Sequence, residues 1–242
     1  MKINTIFIIA LLIMIVSAFF TTKFPLRPEY APFSSFFIVL LAVPCYYGMF
    51  RTFGLKKAIV MIAAMSIYAL LLENVAIITG FPYGKFEYGI LIGKTIVFVP
   101  WTVGFAWTPI LFGAYAVTQK LFFSAPLLKK IFIITVLMVL LDFVLDPGSV
   151  RLGFWIWHTP GNFYGVPWLN FLGWCISSAL AAVLFLSVFK DARKITPPSS
   201  WIFSSYFLST VFWTAVAAFT GLWIPFTIGC VLCLFLYGVE TV

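Results

Sequence analysis

AIVMIAAMSIYALLLENVAII, from Ala58 to Ile78, is a continuous apolar run with Lys56 and Lys57 before it, Gly80 and Pro82 after it, and a single charge, Glu73, inside it. A helix crosses the hydrocarbon core of a bilayer with roughly 20 mainly apolar residues, so this stretch reads as a membrane span. Comparable runs lie on both sides of it, at Ile3–Phe20, Ser34–Phe50, Ile96–Thr118, Ile131–Leu145, Trp168–Phe189, Trp201–Thr220 and Leu222–Tyr237. The expected fold is all-α, a polytopic integral membrane helix bundle of about eight transmembrane helices. The number falls to seven if Gly221 and Pro225 mark a kink and not a tight re-entry, because helix breakers are tolerated inside membrane helices.

The rest of the composition agrees. Of the 242 residues 63% are hydrophobic and 9% charged, against roughly 25% charged in a soluble domain, which excludes a water-soluble fold. Nothing resembles an internal repeat or a low-complexity linker, so one transmembrane domain over residues 1–242 is expected. With a cytoplasmic N-terminus, that side carries Lys2, Arg51, Lys56, Lys57, Lys120, Lys129, Lys130, Lys190, Arg193 and Lys194. The other side carries Lys23, Arg27, Lys85, Lys94 and Arg151. This asymmetry follows the positive-inside rule and describes a multi-pass protein of the cell membrane with both termini cytoplasmic.

The net charge of +8 comes from basic residues scattered beside helix ends, where they serve orientation and contact with anionic membrane lipids and not nucleic acid. The first span lacks a small-residue cleavage site at Ser17-Ala18-Phe19 and reads as a retained helix. Cys45, Cys175, Cys230 and Cys233 all fall in apolar helices and read as buried inert thiols. With one histidine, His158, read as interfacial beside Trp157, and no Cys/His cluster, no metal site is expected.

A carboxylate in hydrocarbon is costly, so intramembrane acids are functional candidates. Glu29, Glu87, Asp191 and Glu240 fall in loops or at the chain end, but Glu73 lies in the third span and Asp142 and Asp146 in the fifth. At about 1.5 Å rise per residue, Lys57 to Glu73 climbs roughly 24 Å, Lys130 to Asp142 roughly 18 Å and Lys130 to Asp146 roughly 24 Å. All three acids reach the outer half. Asp142 and Asp146 also share one helical face, and if Glu73 packs towards it, three carboxyls form one site that cannot ionise completely in a low dielectric. A carboxyl that keeps its proton is a general acid. The plainer alternative is that Asp146-Pro147-Gly148 ends a helix, Asp146 pairs with Arg151, and Glu73 bonds a neighbouring helix.

Two aromatic loops fall on the same side, 79–88 and 146–170. Their rings read as an interfacial belt or as a slot whose π faces stabilise a passing carbocation.

At these residues the chain resembles a known family. The stretches 73–84 (ENVAIITGFPYG), 142–147 (DFVLDP), 153–157 (GFWIW) and 164–174 (YGVPWLNFLGW) are similar to the membrane carotenoid-biosynthesis family that includes bisanhydrobacterioruberin hydratases and carotenoid 1,2-hydratases. The likeness covers roughly Leu72 to Trp174, and its specificity lies in the joint order of the elements.

The resemblance implies a cofactor-independent hydro-lyase that adds water to the terminal isoprenoid C=C of an acyclic polyene such as lycopene. Its partners would be that lipid-soluble substrate, membrane lipids and other carotenoid-pathway enzymes. On this reading Asp142 or Asp146 is the acid and Glu73 orients or deprotonates water, with these roles exchangeable. Tyr83, Trp155, Trp157 and Tyr164 line the end-group pocket, Asn74 and Arg151 join the substrate-binding set, and Asn170 positions water or a carboxyl. Pro44, Pro100 and Pro109 kink their spans and open a slot for a polyene arriving laterally. A carotenoid end-group cyclase would use the same tools but trap the cation with an internal double bond. A proton-coupled transporter would relay protons through Glu73 and Asp142.

Overall fold

The computed structural model describes residues 5–241 except Pro197. Lys2 and the expected start of the first span at Ile3 lie outside the described residues, as does the side chain of Glu240. The fold is 77% helical, with eight α-helices among the described residues: α1 Thr5–Lys23, α2 Ala31–Phe53, α3 Leu55–Thr79, α4 Val103–Leu121, α5 Leu127–Leu152, α6 Trp168–Val188, α7 Ser200–Thr220 and α8 Trp223–Thr241. Four helical segments, Pro28–Phe53, Leu55–Thr79, Trp168–Val188 and Ser200–Thr220, are long and apolar enough to cross a membrane by length and composition. Phe7–Lys23 and Trp223–Val239 are shorter apolar helices. The chain is an all-α membrane protein.

The last two apolar segments are separate helices. α7 stops at Gly221, whose left-handed φ of 74° lets its N–H return to the carbonyls of Ala217 and Ala218, a closure that glycine adopts without the strain a Cβ imposes.

Helix α7 forms the axis, packing against α1, α2, α4, α5 and α8. Apolar side chains gain little from leaving lipid for protein, so close backbone approach at small residues holds such helices together. Gly113 of α4 lies against the Tyr206 ring, and Gly48 of α2 against the backbone of Trp201 and Ile202, leaving no space for a larger side chain. α3 carries Glu73, and α5, which packs on both α7 and α6, carries Asp142 and Asp146.

Three expectations need correction. The fourth helix begins at Val103 and not at Ile96, because Thr95–Ile96 (β2) and Val99–Pro100 (β3) form a short hairpin. Pro100 therefore kinks no helix, whereas Pro44 and Pro109 do lie inside α2 and α4. The fifth helix does not end at Asp146-Pro147-Gly148 but runs on to Leu152 and closes at Gly153. Membrane helices absorb a proline when neighbouring elements support the backbone, and here Gly148 seats against the Trp213 ring of α7. The thiols are not uniformly buried: Cys45 is buried, Cys230 and Cys233 are partly covered, and Cys175 is exposed on α6.

The two aromatic loops are tied into a small sheet. Phe86–Tyr88 (β1) pairs antiparallel with Trp155–Trp157 (β4), setting Phe86 opposite Trp157 and Tyr88 opposite Trp155. Alternation along a strand places these four rings on one face, turned into the bundle, while Glu87 and Ile156 are exposed. The sheet roofs the end of the bundle where α3 and α5 finish.

Candidate active site

Glu73 stands on the last two turns of α3, 5% exposed, and its Oε2 accepts a hydrogen bond from the Tyr88 hydroxyl at 3.2 Å. Burial first, and the adjacent Glu73 carboxyl second, hold the Tyr88 phenol well above its usual range, so it remains a donor. Asp142 and Asp146, one turn apart on α5, are 1% and 2% exposed. From the first turn of α6, the buried Asn170 amide donates to Asp142 Oδ2 at 3.1 Å and to Asp146 Oδ2 as well. An amide nitrogen has two hydrogens, so this single group is fully used in bridging the two carboxyls. Asp142 Oδ1 is buried without a partner.

The three acids belong to one cluster, with Glu73 in electrostatic reach of both Asp146 and Asp142. Among the described residues no ion pair joins any of them to a Lys or Arg. Arg151, expected in the substrate-binding set and paired with Asp146 only on the plainer alternative, is exposed on the last turn of α5. Among the described residues no group of three or more His, Cys, Asp or Glu side chains is arranged to hold a metal ion.

A cavity of about 510 Å³ reaches the cluster, and Glu73 is the acid in its wall; Asp142 and Asp146 lie behind it. Around Glu73 the wall is aromatic, formed by Tyr88, Trp107, Trp155 and Trp174. Trp107 and Trp174 stack, with centroids 6.1 Å apart and planes 22° from parallel, and the Trp107 indole N–H has no partner. Pro109 also lines the space, but neither Pro44 nor Pro100 does.

Of the aromatic residues expected around the end group, Trp155 lines the cavity. Tyr83 and Trp157 sit one layer further back, Tyr83 against Trp174 and both against Phe86. Tyr164 packs on Phe163 at the outer end, where its hydroxyl accepts from the Ile224 N–H at 3.3 Å. Asn74 ties α3 to the hairpin, accepting from the Phe98 N–H and donating to the Leu70 carbonyl. His158 is exposed, 3.9 Å from Glu87.

Tyr88, Trp107 and Trp174 join the site beyond the residues expected from sequence. Tyr88 had one usable signal, the alternating Phe86-Glu87-Tyr88 and Trp155-Ile156-Trp157 triplets, which suit paired strands with one buried face. Trp107 had none, because tryptophan in an apolar helix is ordinary.

A relative named bisanhydrobacterioruberin hydratase, from Haloarcula japonica, is 29% identical over 216 residues, covering 86% of this chain and 73% of that protein. No solved structure matches. The sequence model described as carotenoid biosynthesis protein matches residues 31–236, which include every residue of the acid cluster. The chain belongs to the carotenoid biosynthesis protein family.

Proposed function

We propose that the protein is a carotenoid hydratase, adding water to the terminal isoprenoid C=C of an acyclic carotenoid without a cofactor. The observation that carries this reading is Glu73, a buried carboxyl set in the aromatic wall of an apolar cavity with two further carboxyls behind it. A polyene end group fits such a space, and the chemistry asks only for a proton, a shielded cation and water.

The proposed cycle begins with Glu73, the one acid of the three in the cavity wall. Three carboxyls this close, with no cation paired to them among the described residues, do not all carry charge. Glu73 gives its proton to the less substituted alkene carbon, leaving a tertiary cation on the adjacent carbon. The Trp107, Trp155 and Trp174 rings face that cation with π electrons, and the Glu73 carboxylate formed in the same step balances its charge. Water adds its oxygen to the cation and loses a proton to the acid cluster. The Asp142–Asp146 pair, held by Asn170, stores a proton and returns one to Glu73, so the net change is alkene plus water to tertiary alcohol. The roles expected from sequence are thus exchanged: Glu73 is the acid, and the aspartates serve as its reservoir and base.

We further read all eight helices as spans of one domain. The helix ends bearing Arg51, Lys57, Lys120, Lys129 and Lys190 gather at the end opposite the roof, where Lys57 pairs with Asp191 at 2.5 Å. We read this basic end as the cytoplasmic one.

The test is expression in a lycopene-producing host, followed by mass spectrometry of the extracted pigment. A product heavier by one water and bearing a tertiary alcohol supports hydration. A ring in place of the alcohol makes the protein a cyclase, and unchanged pigment with every acyclic carotenoid offered overturns the proposal.

A further inference from the structure

Helices α1 and α2 follow each other in the chain and both lie along α7, yet they make little contact with one another. Adjacent antiparallel helices normally close such a space. Here one cavity runs from Glu73 to this space: Ser17 and Phe20 of α1, Ser34 and Phe37 of α2, and Phe212 of α7 all line it. At the mouth Phe20, Phe24 and Phe33 are exposed. The opposite end is walled by Trp107, Trp155 and Trp174 beneath the β1–β4 roof.

We propose that the α1–α2 gap is a lateral entrance through which the polyene substrate slides end first from the bilayer. This rests on the hydratase reading for the chemistry at Glu73, but the entrance itself is defined by packing. The occupant follows from the surroundings. The gap opens on the apolar flank of the helices, its rings suit a flat conjugated chain, and it leads to the buried acid.

A blind inner end has a kinetic consequence. A substrate with two reactive ends reaches Glu73 with only one of them, so it must leave and reverse before the second reacts. Singly hydrated product therefore accumulates ahead of doubly hydrated product.

The entrance can be tested without turnover. Ser17→Cys and Ser34→Cys variants in lipid vesicles are labelled by a membrane-partitioning maleimide, with and without lycopene. Native Cys175, exposed on α6 and outside the cavity lining, is the internal control. Lycopene slows labelling at both introduced cysteines and leaves Cys175 unchanged. No protection, or equal protection at Cys175, overturns the entrance. In parallel, Ser17→Trp and Ser34→Trp fill the gap and lower carotenoid conversion about tenfold or more at unaltered thermal stability, whereas Leu180→Trp, on the exposed face of α6, does not. Full conversion by both gap variants also overturns it. Protection by lycopene in a protein that adds no water upholds the entrance and removes the hydration chemistry instead.

Discussion

The two ends of the bundle each bury a polar cluster, and on the proposed function the difference between them separates a site from a support. At the basic end, Lys130 of α5 donates to Gln119 of α4 at 2.7 Å, while the Gln119 amide and the Tyr115 hydroxyl both donate to the Ala192 carbonyl. Lys130 also lies 5.0 Å from the Phe123 ring centroid. Donors there meet acceptors, and none of these residues borders the large cavity. At the roofed end acceptors crowd together: three carboxyls share the Asn170 amide and the Tyr88 hydroxyl as donors, Asp142 Oδ1 is left over, and Glu73 opens onto apolar space. A balanced network fixes helices in register. On the proposed function the acceptor-rich cluster is the one that supplies a proton to the cavity.

This contrast can be broken most directly at Glu73. Glu73→Gln keeps size and polarity but removes the transferable proton, and conversion of an acyclic carotenoid falls by roughly 10²–10⁴-fold, the usual contribution of a general acid. Asp142→Asn has a loss of the same order, and the double variant is no worse than either alone, as expected of groups acting as one unit. Pigment extracts assayed alongside the amount of inserted protein give the result. Wild-type conversion in both single variants would return the cluster to a purely structural role.

Asn170→Ala tests the bridge. The two aspartates lose their common donor and conversion drops about tenfold to a hundredfold, the cost of misplacing a group that orients catalytic side chains. Gln119→Leu does the reverse at the other end: it strips Lys130 of its acceptor and lowers stability by about 1–3 kcal/mol, read as earlier thermal unfolding in detergent, with conversion per folded molecule unchanged. A loss of specific activity there would erase the distinction between the two clusters.

The smallest effect lies at the surface. The Lys57 ammonium beside Asp191 holds that carboxyl below its usual range. The pair therefore helps the folded state while Asp191 is ionised, and the help fades as pH falls through that lowered range. Both side chains are exposed, so Lys57→Ala slightly flattens the acid limb of the thermal-stability profile and leaves conversion untouched.

Much of this was legible in the chain. Apolar runs bounded by Lys and Arg located the helices, because lipid imposes length and charge limits that act locally. The acids announced themselves by position alone, since an ionisable group within such a run needs a reason to be there. The four-residue interval between Asp142 and Asp146 set them on one face before any packing was known. The helix that continues through Asp146-Pro147-Gly148 was not legible, because the packing around it, such as Gly148 against Trp213, comes from far along the chain.

Sequence by itself thus determined that the protein is helical and membrane-bound, and which carboxyls lie within apolar runs, because hydrophobic length and the position of a charge are properties of short segments. Only the tertiary structure decided that Glu73 faces the cavity while the aspartates stand behind it, that Tyr88 returns from the β1–β4 roof to meet Glu73, and that α1 and α2 part over α7. Those outcomes depend on which helix lies beside which, and contacts between residues distant in the chain leave no periodic mark within any one segment.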